Sequence, residues 1–352
     1  MVTDTTDFHS RLPEPTKDQI DYAEKFLNIP VWSLGYARCN TPESEITCKQ
    51  LLVAAGAIEN YEKKVANGQC RNYVYAKISS LSLEDQMSVI YHGFQMAIAS
   101  NRYFVTDIDD FPIKLPSIIT VPPKEFKGEI VEEDVKFGCM QGPYKPNVTL
   151  QGTSWPQVIY TNHVYAPLLK KRFGFHSAYF AGSYLFGQIV SIACDSLYKT
   201  VVEVWEMPQH QNGDLSVGDY YKTVSRCGVD HNEAHLITHS SRYNAKSNFK
   251  THKEISDTQS RVCALKQMIG SKRFVQTFGS RLGWWGMALN GNAAGAINSV
   301  DNICFNITNS QRGSLWHTYF KYRRTDAYRI NSWFYVCGMN VEAAHEYSVN
   351  LI

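Results

Sequence analysis

The stretch RFVQTFGSRLGWWGMALN, from Arg273 to Asn290, decides the fold of this chain. Its first half is a run of apolar and β-prone residues that predicts a strand, and its second half predicts a helix that begins near Gly283. In the turn between them, glycines allow a ligand to approach the backbone closely, the Ser280 hydroxyl can donate a hydrogen bond, and Arg281 can hold a phosphate bidentately. A strand that leads through such a turn into a helix indicates the ligand-binding edge of an α/β domain.

The sequence on both sides of this stretch alternates strands and helices in the same way. Strands separated by helices of this length favour parallel βαβ units. We therefore predict an α/β fold of two doubly wound, Rossmann-type domains that face one cleft. The predicted domains are an N-terminal arm with a helical extension (1–69), a first α/β domain (70–198), and a second α/β domain with a C-terminal extension (199–352).

The predicted elements follow from apolar periodicity and from proline and glycine positions. We predict strands over residues 72–80, 102–111, 154–162, 199–207, 233–241, 272–279 and 299–308. We predict helices over residues 18–27, 81–101, 164–172, 176–197, 217–227, 256–269 and 283–290. Residues 111–150 contain six prolines among charged residues and are predicted to be irregular loop.

The composition excludes several classes of protein. Lys and Arg total 35 against 33 Asp and Glu over 352 residues, so no chain-wide positive field exists to hold nucleic acid. No segment has the ~18–20 apolar residues that span a bilayer. Nine cysteines are scattered without a CxxC pair or a Cys/His cluster at zinc spacing, so we expect no bound metal.

Two observations about the cellular compartment conflict. The sequons at Asn147 and Asn306, and the cysteines Cys39, Cys48 and Cys70, favour a glycoprotein of the secretory lumen. The N-terminus lacks the basic and apolar regions of a signal peptide. We expect a location in the Golgi or endoplasmic reticulum if a leader is missing from this sequence, with the cytoplasm as the alternative.

The order of residues from Phe274 to Asn290 resembles the donor motif of the α(1,2)- and xyloglucan-type fucosyltransferases. Residues 70–111, 154–187 and 233–245 are similar to other segments of that family and occur in the same order, so the resemblance covers about residues 70–310. It implies a GT-B architecture and a metal-independent, inverting transfer of fucose from GDP-fucose. The second domain would bind the GDP, and the first would hold a glycan acceptor.

The resemblance and the strand ends together give the candidate site residues. An inverting transfer needs a carboxylate or histidine within hydrogen-bond reach of the acceptor hydroxyl. The candidates for this general base are Glu203, Glu206, His239, His210 and Asp107. The donor would contact Ser240, Ser241, Arg242, Thr277, Gly279, Ser280, Arg281 and Gly283. Asp107 and Tyr165 are assigned to the acceptor side.

The sequence departs from the family pattern at two places. Trp205 or Glu206 stands where the first donor-domain strand of the family has an arginine for the diphosphate, and residues 80–85 replace a glycine-rich turn. Both changes remove groups suited to an anionic donor, and we hypothesise that Arg281 supplies the lost cation. Two functions therefore stay open, an active glycosyltransferase and a catalytically inactive relative that acts as a glycan-binding or structural subunit.

Overall fold

The structure is a computed structural model that describes a large part of the chain. The described residues are 56–109, 111–132, 147–151, 182, 184–194, 197–204, 224–225, 228–239, 251–277, 280–290, 293–298 and 303–307. They form two compact units that divide between Phe186 and Gly187. The strand predicted at 154–162, the helices predicted at 18–27 and 164–172, and most of the helix predicted at 217–227 lie outside these ranges.

The first unit contains a four-stranded parallel sheet. Its elements are β1 (Tyr73–Lys77), α1 (Leu83–Ser100), β2 (Tyr103–Thr106), β3 (Glu129–Glu132) and β4 (Val148–Gln151). The strand order is β2-β1-β4-β3, and all three pairings are parallel. The predicted strand, helix and strand over residues 72–111 are confirmed, whereas the loop predicted over 111–150 is wrong at β3 and β4.

The core of the first unit is built around α1. Ser82 caps its N-terminus by accepting a hydrogen bond from the Asp85 amide, and Asn101 ends it in the left-handed conformation. Most of its residues are buried, including the polar side chains of Gln86, His92 and Gln95, so the helix is covered on nearly all sides. A helix over residues 56–66 packs beside it, where the Tyr61 hydroxyl donates to the carbonyl of Arg102 at 2.8 Å. This helix was not among the predicted helices, and it contributes to the core of the first unit.

The second unit contains a six-stranded sheet. Its elements are β5 (Thr200–Val204), β6 (His235–Thr238), β7 (Thr251–Glu254), α2 (Thr258–Gly270), β8 (Arg273–Thr277), α3 (Arg281–Leu289), β9 (Ala293–Asn298) and β10 (Ile303–Ile307). The order is β10-β9-β8-β5-β6-β7, with β10 antiparallel and all other pairings parallel. In chain order within the unit this reads 6-5-4-1-2-3, the strand order of Rossmann domains. The predicted α/β fold of doubly wound sheets is thus confirmed, while the cleft between the domains stays a prediction.

The segment before β5 belongs to the second unit. The helix predicted over residues 176–197 is wrong at its end, because Gly187–Ser191 form a 3-10 turn instead. The turn is followed by Cys194, which forms a disulfide with Cys263 of α2, and Lys266 donates to the carbonyl of Ile192. These contacts hold residues 187–194 against α2, and the predicted domain boundaries stay predictions.

None of the helices in the described ranges is long and apolar enough to cross a membrane.

Candidate functional site

The candidate site lies where the strand order of the second sheet reverses. Strands β6 and β7 lie on one side of β5, and β8 and β9 lie on the other. In open α/β sheets, ligands bind beyond the carboxyl ends of the strands at this switch point. The candidate ligand-binding residues are therefore those at the ends of β5, β6 and β8.

Glu203 is the central residue of this edge. It lies in β5 with 0% of its surface exposed, beside the apolar residues Val202 and Val204 of the same strand. Its Oε2 accepts a hydrogen bond from the amide of Thr277 at 3.2 Å, and its Oε1 accepts one from the hydroxyl of Ser280. The same Oε1 lies 3.1 Å from Nε2 of His239. Two donors and an imidazole nitrogen, from two neighbouring strands and a helix cap, thus converge on one buried carboxylate, which compensates for its removal from water.

A second hydrogen bond between β5 and β8 fixes the position of this cluster along the two strands. The hydroxyl of Thr277 donates to the carbonyl of Glu203 at 2.9 Å. Thr277 is fully buried and is the last residue of β8. Its amide and its hydroxyl both donate hydrogen bonds to Glu203. This pairing holds the carboxylate of Glu203 at the point where the chain turns from β8 into α3.

The N-terminus of α3 is closed by Ser280. Its hydroxyl accepts a hydrogen bond from the Gly283 amide at 3.0 Å while it donates to Glu203. A Cβ atom at position 283 would lie 2.1 Å from Oε2 of Glu203, so only glycine fits there. The carboxylate therefore packs against the first turn of α3, where the helix dipole stabilises a negative charge.

A second carboxylate with a close partner lies in the first unit. The Tyr75 hydroxyl, on β1, donates to Oδ1 of Asp107, just beyond the end of β2. Burial raises the pKa of Tyr75 above its ordinary value, and the hydrogen bond to Asp107 raises it further. The hydroxyl therefore stays protonated at neutral pH and can only position the carboxylate. Sequence reasoning missed Tyr75, although the alternating YVYAK pattern of β1 predicts its face of the sheet.

The structure brings together five of the predicted site residues. Glu203, His239, Thr277, Ser280 and Gly283 form the cluster described above. Arg281 is the first residue of α3 and is partly exposed, and Asp107 lies in the other unit. The remaining candidates, and Trp205, lie outside the described residues. These candidates are Tyr165, Glu206, His210, Ser240, Ser241, Arg242 and Gly279.

The part of the chain that the structure describes contains no group of three or more His, Cys, Asp or Glu side chains that could hold a metal ion. The predicted absence of a required metal stays a prediction. The chemistry of the cluster is that of a carboxylate, an imidazole and a hydroxyl, which can orient one another and accept a proton.

Comparisons with known proteins give weak overall similarity. No protein-family model matches this sequence. No curated protein matches it. The structure is similar to a mutant of Arabidopsis thaliana FUT1 in complex with GDP, with a TM-score of 0.46 and 10% identity over 84% of this chain and 83% of that chain.

Similar values relate the chain to NodZ α-1,6-fucosyltransferase soaked with GDP-fucose, with a TM-score of 0.43 and 9% identity. Fucosyltransferase NodZ from Bradyrhizobium gives a TM-score of 0.42 and 9% identity. Both matches cover 68% of this chain and 99% of the NodZ chain. At these values, the substrate of this chain has to be argued from its own residues.

Proposed function

We propose that this chain is a glycosyltransferase that transfers fucose from GDP-fucose to a glycan acceptor with inversion. The observation that carries the proposal is the polar cluster of Glu203, His239 and Ser280 at the switch point of a Rossmann-ordered sheet. Nucleotides bind at this place in doubly wound domains. The resemblance of residues 274–290 to the donor motif of α(1,2)- and xyloglucan-type fucosyltransferases supports this donor and this type of enzyme.

The reaction requires one bond to form and one to break. The oxygen of an acceptor hydroxyl attacks C1 of the sugar on the face opposite the diphosphate, and the C1–O bond to the diphosphate breaks. GDP leaves with the bonding electrons, and the hydroxyl proton passes to a base on the protein. The cluster supplies the groups for the last step, because it holds a carboxylate and an imidazole in hydrogen-bond contact. We propose that the transfer needs no metal.

The proposal is tested by incubating the protein with GDP-fucose and a panel of glycans and measuring GDP release and fucosylated product. We expect product and GDP in equal amounts, and a rise in melting temperature with GDP, because a ligand of the folded state stabilises it. GDP-mannose serves as the matched donor control. The absence of both fucosylated product and a thermal shift at millimolar GDP would contradict a donor site in this chain.

The position of Glu203 favours a second candidate, an inactive relative that binds a glycan or serves as a structural subunit. The Ser280 hydroxyl and the Thr277 amide, which were expected to face the phosphates of a donor, both donate to Glu203. A carboxylate at the first turn of α3 also repels a second anion there. Glycan binding that persists without any effect of GDP on the melting temperature would identify this function.

We further propose that the protein folds in the lumen of the secretory pathway, with the cytoplasm as the alternative. The disulfide between Cys194 and Cys263 supports the lumen, since such bonds persist in oxidising compartments. Alkylation of the protein in intact cells, followed by mass spectrometry, shows whether the two cysteines are joined; free thiols would favour the cytoplasm.

A further inference from the structure

The structure assigns different roles to the two members of the buried Glu203–His239 pair. We propose that Nδ1 of His239 accepts the proton of the acceptor hydroxyl, and that Glu203 is a positioning residue that orients the imidazole. This inference rests on the proposed glycosyl transfer. It separates two residues that the sequence offered only as alternatives for the same task.

Glu203 cannot be the group that meets the substrate. Its side chain is 0% exposed, so no hydroxyl can reach its oxygens in this structure. Its two oxygens already accept hydrogen bonds from Thr277, Ser280 and His239. A general base must lie within hydrogen-bond reach of the proton that it removes. The carboxylate therefore acts through the groups that it holds.

His239 has the exposure that Glu203 lacks. Its side chain is 12% exposed, at the end of β6 and beside the switch point. Its backbone is fixed by a hydrogen bond from its amide to the carbonyl of Val204 at 3.3 Å. Its imidazole is fixed by the contact between Nε2 and the carboxylate of Glu203. Backbone and ring are thus both held, as the pre-organisation of a general base requires.

The carboxylate also determines which ring nitrogen carries the proton. An ionised carboxylate can only accept hydrogen bonds, so the nitrogen that faces it must be Nε2–H. In a neutral imidazole, Nδ1 then keeps its lone pair and is the basic nitrogen. A buried carboxylate that orients a histidine, which in turn meets the reacting hydroxyl, is an arrangement found in several unrelated groups of enzymes.

Glu203→Gln tests this role because the new amide has only one preferred orientation. Oε2 of Glu203 faces the amide of Thr277, a donor that cannot reverse. The carbonyl oxygen of the glutamine must therefore take that place, and its NH₂ group replaces Oε1. The hydroxyl of Ser280 can rotate to accept from this NH₂ group, and the His239 ring can accept from it only as the Nδ1–H tautomer. The substitution thus moves the proton onto the nitrogen that has to be basic.

The experiment measures the tautomer and the turnover in the full-length protein. Long-range ¹⁵N–¹H spectra of ¹⁵N-histidine-labelled protein report the tautomer, and the signals of His239 are assigned by their loss in His239→Gln. We expect the Nε2–H form in the wild type and the Nδ1–H form in Glu203→Gln. We expect both variants to lower kcat by about 10²-fold or more, with the KM for GDP-fucose little changed. Glu203→Asp, which keeps a carboxylate, should restore part of the turnover.

Ser271→Ala is the matched control. The hydroxyl of Ser271 is buried in the same unit and donates to the carbonyl of Met268 at 2.9 Å, away from the cluster. Its removal should lower the melting temperature without moving the tautomer of His239. A variant that merely loosens the unit would therefore behave like this control and not like Glu203→Gln.

Two outcomes overturn the proposal, and they can be told apart. If the wild type transfers sugar, and Glu203→Gln keeps both the Nε2–H tautomer and the wild-type kcat, the positioning role is wrong and the proposed function stands. If the wild type transfers no sugar from any nucleotide donor, the proposed function fails and the role of His239 as a base fails with it. If Glu203→Gln does not fold, the kcat of His239→Gln alone tests whether His239 is the base. This substitution leaves the hydrogen bonds of Thr277 and Ser280 to Glu203 in place.

Discussion

Replacing Gly283 with alanine should destabilise the second unit through a collision with Glu203. The new Cβ would lie 2.1 Å from Oε2 and 2.8 Å from Cδ of Glu203, and 3.1 Å from Cβ of Gln276. The carboxylate would have to move, and it would then weaken its bonds to Thr277 and Ser280. Overpacking of this kind costs about 1–3 kcal/mol, and a hydrogen bond to a charged group contributes about 1.5–3 kcal/mol.

The better helix propensity of alanine offsets about 1 kcal/mol of this cost. We therefore expect a net loss of about 3 kcal/mol in the free energy of unfolding. At about 2–4 °C for each kcal/mol in a protein of this size, the melting temperature should fall by about 10 °C. Thermal and urea unfolding, followed by circular dichroism, measure both quantities.

A double-mutant cycle attributes the loss to Glu203. In a Glu203→Ala background the collision with the carboxylate disappears and only the 3.1 Å contact with Cβ of Gln276 remains, so Gly283→Ala should lose most of its cost. Gly286→Ala is the matched control, because its Cβ would lie 2.7 Å from Sδ of Met268 and does not meet Glu203. Its cost should be the same in both backgrounds. If Gly283→Ala also costs the same in both, to within about 0.5 kcal/mol, the packing of the carboxylate against α3 is wrong.

Three further predictions concern other parts of the chain. Tyr61→Phe removes a hydroxyl that bonds the Phe104 amide at 3.0 Å, so urea unfolding should show a loss of about 1–3 kcal/mol. Replacing Cys194 and Cys263 with serine opens a loop with a sequence separation of 69 residues, and calorimetry should show a loss of about 4 kcal/mol; an unchanged stability would argue against the disulfide. Arg281→Ala should weaken GDP binding about tenfold or more if Arg281 replaces the missing strand arginine, and an unchanged dissociation constant would refute that role.

The local part of the second unit could be predicted from the sequence. The strand and the helix predicted within residues 273–290 depend on neighbours in the chain, and the structure confirms them as β8 and α3 with Ser280 as the cap. Helix α2 was predicted from the apolar periodicity of its residues, and the structure shows in addition a capping box of Asp257 and Ser260 at its start. Such elements can be predicted because the residues that determine them are consecutive in the sequence.

Four strands escaped prediction because pairing, and not propensity, creates them. Strand β9 consists of AAGAIN, small residues with weak β propensity, yet it pairs with β8 on one side and β10 on the other. Strands β3 and β4 border a proline-rich segment and are only four residues long, as is β7. Each of these strands needs a partner strand outside its own residues, so the residues of the strand alone do not contain the reason for its existence.

The site was predicted in its members but not in its connections. Glu203, His239 and Ser280 were each candidates, yet the partner of Glu203 in β8 lies 74 residues away and the cap of α3 lies 77 residues away. A sequence pattern cannot report which candidates touch. The structure therefore changes the interpretation of Glu203 from an independent base to the centre of a hydrogen-bonded group.

This change also alters the meaning of Gly283. In the sequence, a glycine at the start of a helix indicates a place where a phosphate approaches the backbone. In the structure, the space left by the missing side chain is taken by the protein's own carboxylate, so the glycine is required whether or not a ligand binds. A ligand at this edge therefore has to meet the exposed side of the cluster, where His239 lies, and not the amide of Gly283, which Ser280 already occupies. Internal packing alone is thus a sufficient reason for the glycine, so that the proposed activity has to be judged from His239 and not from the glycine.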